Sequence, residues 1–374
     1  MRRQLFMLAL LLFVILDLHL FFWNGRTSPL DIVPLIDVHD RPEATVETEP
    51  ASFGNGIRTA LSEKRYADLE TLAAELRAPD RRFRGGTAEI TRFYDIVTEV
   101  ETLATDDPCE CGSLDPASFE AKKGQLEAWH AAAPGQPTAE LALAKLWLRA
   151  AWSARGGKYS SEVTEEQWAK MAENVAHARE YLKTIDPHQD PVAYSVMIDM
   201  AKATSNRQKM DALYRAAIEV YPAYYDYYAQ HAEMLQEKWF GRPGELAAYL
   251  DSLVAPERGV DSQIGYAFAA YRLRYAYKRS DMADSDVLRF RAIVTAYQAR
   301  ERRFGLRPHD WKLLFFFSLH GGMTVSAIQA FQRMGTDWDG AIWWKRENFD
   351  DDIAWYKANV ESLAWAKHLV SDGG

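Results

Sequence analysis

The stretch MDALYRAAIEVYPAYYDYYAQHAEMLQEKWFGRPGELAAYLDSLV, residues 210–254, decides the fold. Leu213, Ala216, Ala217 and Val220 recur at three- and four-residue spacing and so share one face of a helix. Tyr221-Pro222 closes that helix, because the residue before a proline is pushed out of the α region. A second helix, expected from about Tyr224 to Lys238, sets Tyr228, His231 and Leu235 on one side and Tyr225, Ala229 and Ala232 on the other. The small residues Ala229 and Ala232 leave room for a neighbouring helix. Gly241-Arg242-Pro243-Gly244 reads as a turn, with Pro243 in the first turn of a third helix, where its missing N–H costs nothing.

Helices of about fifteen residues joined by loops of about two to six are the unit of an α-solenoid. The spacing also resembles the tetratricopeptide repeat. Tyr214, Ala217 and Pro222 match the second half of such a repeat, and Tyr228, Ala232 and Leu235 match the first half of the next. Met210 departs from it, standing where the repeat has alanine. The expected fold is all-α, a superhelical stack of antiparallel helix pairs behind one N-terminal transmembrane helix.

Upstream, an alanine-rich helix is expected from Pro137, with Thr138 as its N-cap and Gly156 or Gly157 as its stop. Thr164 followed by Gln167 is a capping box that opens another helix, along which Trp168, Met171, Val175 and Ala178 recur. Ala151-Trp152-Ser153-Ala154-Arg155-Gly156, then Val163-Thr164-Glu165-Glu166 and Trp168, together resemble a bacterial family known as domain of unknown function 4034. Trp239-Phe240-Gly241-Arg242-Pro243-Gly244-Glu245 and the preceding Tyr221, Pro222, Tyr224 and Tyr225 are similar to that family's second landmark. The resemblance spans roughly Phe53 to Trp344 and implies a helical, repeat-like domain with no assigned activity.

Helix pairs are expected over 54–64 and 66–78, and a longer helix from about Thr87 to Leu103. Others are expected over 191–204, 260–278, 285–304, 310–319 and 324–334, with Trp343, Trp344, Trp355 and Trp365 anchoring the C-terminal end. No alternating β-branched run suggests a strand.

Residues 1–23, MRRQLFMLALLLFVILDLHLFFW, form the clearest single signal. The run from Leu5 to Trp23 is interrupted only by Asp17 and His19. As a helix it would extend roughly 28 Å, close to the bilayer core. Arg2 and Arg3 keep residues 1–4 in the cytoplasm and send the bulk of the chain across the inner membrane, into the periplasm if the cell has one. A cleaved signal peptide is the rival, but Phe21, Phe22, Trp23 and Asn24 give no small-residue cut site, so the reading favours an uncleaved anchor over 5–23. Residues 24–52, with Pro29, Pro34, Pro42 and Pro50 among acidic residues, form a solvated linker, and 53–374 form the helical domain.

The net charge of −9 and the absence of a basic stripe argue against nucleic acid, whose phosphates require clustered Lys and Arg. The only cysteines, Cys109 and Cys111, form either a thiol-bearing loop or a local disulfide. No phosphate loop, dinucleotide fingerprint, nucleophile elbow or zinc motif is present, so no catalytic set, metal site or cofactor is expected. His177 and His231 are read as structural residues within helices. Arg155, at a helix end against Trp152, is read as bonding terminal carbonyls or stacking on an aromatic, with an anion clamp as the alternative.

Two functional classes follow. A concave stack of helices suits a protein or peptide partner, and Asp226, Ala229, Glu233 and Gln236 are expected to line its groove and to favour a cationic or amide-rich segment. The alternative is a glycan-processing enzyme of the cell envelope. Asp337-Trp338-Asp339, Trp343-Trp344, Glu347 and Asp350-Asp351-Asp352 combine carboxylates with aromatic platforms, as glycosidases do. The membrane reading carries its own test. A reporter active only outside the cytoplasm, fused after Gly374, is expected to work, and the mature chain is expected to begin at Met1 or Arg2. A mature N-terminus near Ser28 would replace the anchor with a cleaved signal.

Overall fold

The computed structural model describes residues 51–103, 113–274, 288–343 and 345–361, and all regular structure among them is helical. Only isolated bridges, Arg82 with Ala88 and Thr102 with Leu114, have β character. The expected anchor, residues 24–50 of the expected linker, Cys109, Cys111, Trp344 and Trp365 lie outside the described residues, and the last two linker residues, Ala51 and Ser52, are helical. No helix among the described residues is long and apolar enough to cross a membrane. The chain divides into two compact units at Arg242–Pro243, inside the turn read from the sequence.

The first unit holds α1 (Ala51–Ser62), α2 (Tyr66–Leu76), α3 (Glu89–Val97), α4 (Pro116–Ala132) and α5 (Pro137–Arg155), then α6 (Glu165–Leu182), α7 (Pro191–Ala203), α8 (Arg207–Val220) and α9 (Asp226–Met234). Helix α5 packs on α4, α6 and α7, and α7 in turn packs on α8 and α9. That central place explains the composition of α5. Leu141, Ala142, Leu143, Ala144, Leu146, Leu148 and Ala151 are buried on every side of it, as expected for a helix with neighbours all round.

Several boundaries differ from the sequence reading, each for a tertiary reason. Thr138 is not the N-cap of α5; that residue is Gln136, with Pro137 at the first helical position. The Thr138 hydroxyl instead donates to Glu70 Oε2 at 2.5 Å and accepts from Arg77 Nη2 at 2.8 Å. Helix α3 ends at Val97 and does not run to Leu103, because Arg149 of α5 donates to the carbonyls of Thr98 and Val100. Helix α9 ends at Met234, short of Lys238, because the chain folds back so that Phe240 N donates to Met234 O at 3.2 Å and Gly241 N to Gln236 O at 3.1 Å. A Cβ on Gly241 would lie 1.7 Å from Leu235 O, so only glycine allows this approach. The capping box of α6 forms as read, with Thr164 Oγ1 accepting from Gln167 N at 3.2 Å and Gln167 Oε1 from Thr164 N at 2.9 Å.

The second unit holds α10 (Glu245–Leu253), α11 (Gly259–Leu273), α12 (Phe290–Phe304), α13 (Pro308–His320), α14 (Thr324–Arg333), α15 (Gly340–Trp343) and α16 (Arg346–Tyr356), the last continuing into a π turn (Lys357–Glu361). Each of α10 to α13 packs on the next, and α13 also meets α14 and α15. At the start of α13 the fully buried Asp310 accepts from Arg300 Nη2 at 2.8 Å, Arg307 Nε at 3.0 Å and the Arg307 main-chain N at 2.9 Å.

Burial alone would lift the Asp310 carboxyl, but the Arg300 and Arg307 charges and hydrogen bonds outweigh it and hold the group below its ordinary range. A carboxylate depressed in the folded state contributes stability that is present above its unfolded value and lost as pH falls through the folded one. Asp310→Asn is therefore expected to cost about 3–5 kcal/mol near neutral pH, since it leaves buried guanidinium groups without their counter-charge. The gap between wild type and variant should narrow below about pH 4. Urea unfolding at stepped pH measures it, and a gap that does not change with pH would exclude an ionised Asp310.

Candidate functional site

The residues expected to line a groove lie along α9 and just beyond it, and they do not form one open stripe. Ala229 and Gln236 are buried. Gln236 follows the helix end, where its Nε2 donates to Glu233 O at 3.0 Å. Asp226, at the first position of α9, accepts from Thr91 Oγ1 at 3.4 Å. Glu233 is ion-paired to Lys202 of α7 at 3.1 Å, with both side chains largely covered. The acidic groove therefore resolves into one carboxylate near α3 and another neutralised by a lysine.

The Glu233–Lys202 pair opens onto a cluster that the periodicity of α9 does not reveal. Lys202 Nζ lies 4.2 Å from the ring centroid of Trp239 and 5.0 Å from that of Trp152. The two indoles meet edge to face at 6.0 Å, and Trp152 Nε1 donates to Asp199 Oδ2 at 3.0 Å. The Arg155 guanidinium also sits 5.7 Å from the Trp239 centroid and 5.6 Å from that of Trp168. Arg155 Nη1 also donates to the carbonyls of Gly156 and Lys158 at 2.9 and 2.8 Å. Carbonyl bonding and aromatic stacking thus both hold for Arg155, although the rings are Trp168 and Trp239. Burial lowers its pKa, which is consistent with a cation held by ring faces and carbonyls.

Each element reaches this place for a local reason. The glycine-dependent fold-back after α9 carries Trp239 over the end of α5, and Arg207 Nη1 fixes the turn by donating to Phe240 O at 2.9 Å. Gly156, at φ 75°, stops α5 so that Arg155 meets the carbonyls of Gly156 and Lys158 in the turn that follows. The capping box starts α6 in time to bring Trp168 beside Arg155. Trp152, Arg155, Trp168 and Trp239, far apart in sequence, thus converge on one face. Trp168 is 39% exposed there, a large apolar surface beside the Arg155 guanidinium. The sequence signal was a set of separate Trp-containing landmarks, but their convergence was not legible.

His231 stacks on Tyr214 at 3.9 Å and bonds Asp211 Oδ1 at 3.1 Å, and His177 stacks on Trp147 at 4.2 Å. His231 is buried within the helical framework, whereas His177 is exposed and lies on the Trp147 ring.

In the second unit the acid- and tryptophan-rich end is tied to α13. His309 Nδ1 lies 2.6 Å from Asp339 Oδ2, Lys312 Nζ donates to Asp337 Oδ2 at 2.9 Å, and His320 Nε2 lies 3.2 Å from Asp352 Oδ2. Buried Asp352 also accepts from Trp343 Nε1 at 2.8 Å, and Trp343 packs on Phe349 at 4.8 Å. These carboxylates anchor the terminal helices, and Asp352 and Trp343 present no sugar platform to solvent. No group of three or more metal-ligating side chains occurs among the described residues.

Set against known proteins, the chain matches no family model, no curated protein and no solved structure.

The cation–aromatic geometry is measurable. In a double-mutant cycle of Lys202→Met with Trp239→Leu, urea unfolding is expected to give a coupling energy of about 0.5–2 kcal/mol. Additive single effects would reduce the cluster to packing alone.

Proposed function

We propose that this chain is an interaction module, a set of stacked helical pairs held at the outer face of the inner membrane by its N-terminal helix, with a protein or peptide as its partner. The observation that carries the reading is the face formed by Trp152, Trp168 and Trp239 with Arg155 and Lys202, where Trp168 is 39% exposed. Tryptophan and arginine concentrate binding energy at protein interfaces because they bury large surfaces and retain polar handles. The surrounding network holds these rings in place before any partner arrives, which reduces the ordering cost of association.

Supporting it, α5 packs on α7 and α7 on α9, with α6 packed on α5 and α7 and α8 on α7 and α9, contacts that suit paired helices. The resemblance to domain of unknown function 4034 belongs to the same reading. Glu233, paired with Lys202, borders the face and leaves it mixed in charge. The anchor over 5–23 and the linker over 24–52 would display the module outside the cytoplasm.

Trp168→Ala tests the reading, because so exposed a ring is expected to contribute little to folding. Crosslinking in intact membranes, followed by recovery of the full chain, should yield a partner with wild type and markedly less with the variant, at an unchanged melting midpoint. Equal recovery with both would remove this face as the binding surface. Turnover of an envelope glycan by the purified chain would favour the enzyme class instead.

A further inference from the structure

A second feature of the first unit lies away from the tryptophan face. Beyond the end of α3 the chain runs extended beside α4, and the two enclose a cleft of about 560 Å³ with α5 at its back. Its polar lining comes from Glu99, Glu101, Ser118, Lys122, Gln125 and Arg149.

The charges of that lining do not cancel internally. Glu99 is taken by Arg58, whose Nη2 lies 2.8 Å from Glu99 Oε2. Arg149 is fixed by main-chain acceptors only, donating to Thr98 O at 3.1 Å and Val100 O at 3.3 Å. Carbonyls hold a guanidinium in place without neutralising it. Lys122 is half-buried, and among the described residues no carboxylate comes within ion-pair distance of it or of Arg149. Glu101 likewise has no cationic partner among them, and its main-chain N–H is held by Ser118 Oγ at 3.0 Å. Burial, with a smaller contribution from the Arg58 charge, lowers the pKa of the Lys122 amine, and the Glu99 charge only partly opposes this.

A half-buried ammonium with no carboxylate in ion-pair contact is a cost to the folded chain that an incoming anion relieves. A bare cation meets Lys122 and Arg149 and is repelled. A highly charged phosphate meets the unpaired carboxylate of Glu101 and is disfavoured. One carboxylate for the cations and one ammonium for Glu101 match the lining in both signs. The scarcity of apolar surface, chiefly Val100 and Ala121, disfavours a greasy ligand.

We propose that this cleft binds a small zwitterion, an amino acid or a short peptide, with its carboxylate toward Lys122 and Arg149 and its ammonium toward Glu101. Lys122 and Arg149 then act as ligand-binding residues, and the bonds from Arg149 to the segment after α3 set the width of the cleft. The site is independent of the tryptophan face and of any partner bound there.

The test uses the full chain in detergent. Each of the common L-amino acids, and the dipeptides glycylglycine and alanylalanine, is screened for an increase in melting midpoint, and compounds that raise it are titrated by calorimetry. At least one free zwitterion is expected to bind. Its N-acetyl and carboxamide forms should each bind at least about tenfold more weakly, the loss of one charge-assisted contact. Lys122→Gln should weaken binding similarly without lowering the melting midpoint of the ligand-free chain, because it removes a charge that has no partner. This variant carries the test even if Arg149→Gln fails to fold. Bound ligand should also slow reductive methylation of Lys122 while leaving exposed Lys170 unaffected. Binding by the dipeptides alone would support the same chemistry with a peptide as its source. The proposal falls if no probe binds, if N-acetylation makes no difference, or if Lys122→Gln and the methylation of Lys122 are both indifferent to the ligand.

Discussion

A buried carboxylate that caps a helix and at the same time takes a cation from another helix holds each unit together. In the first unit it is Asp190. Its Oδ1 accepts from Val192 N at 2.8 Å, starting α7, while Oδ2 accepts from Arg77 Nε at 2.7 Å and Tyr94 OH at 2.8 Å. Arg77 reaches on to Thr138 at the head of α5, so α2, α3, α5 and α7 share one hydrogen-bonded junction. Asp310 plays the same part in the second unit, capping α13 and binding Arg300 and Arg307. A pair of buried charges adds little net stability over an apolar contact, but breaking one is expensive, so each junction penalises alternative packings.

Tyrosine extends the junction in the first unit. Burial, and then the Asp190 charge, push the Tyr94 hydroxyl well above the usual phenol range, so it remains a donor. Tyr227 OH donates to Pro191 O at 2.5 Å, Tyr221 OH donates to His188 O, and Thr91 Oγ1 donates to Tyr224 OH at 2.7 Å. The tyrosine-rich run after Pro222 is therefore less a ligand-facing surface than a set of rings that fill the core and hydroxyls that close main-chain bonds. Those bonds dock α9 on α7 and α3.

The same docking creates the tryptophan face. With α9 fixed against α7, Lys202 meets Glu233, and the chain that folds back through Gly241 lays Trp239 over Lys202 and Arg155. Packing that orders the core thus presents an indole to solvent in a rigid frame. The cleft beside α4 has a related origin, since the hold of Arg149 on the segment after α3 both ends that helix early and leaves a cation facing open space.

Sequence alone determined the helical class, the α6 capping box, the stop at Tyr221-Pro222 and the turn at Gly241 to Gly244, because each is set by residues within about one helical turn of one another. It also marked Trp152, Arg155, Trp168 and Trp239 as landmarks, and Ala232, which is fully buried, as a close-packing position. Only the tertiary structure decided that Thr138 serves Glu70 and Arg77 instead of capping α5, that α3 and α9 stop early, and that Glu233 is neutralised by Lys202. Those outcomes depend on partners such as Arg77 and Asp190, 113 residues apart, and no helical period carries information over that distance. Whether a polar side chain caps, pairs or faces solvent is settled by which buried charge reaches it first, and that is a property of the packed chain.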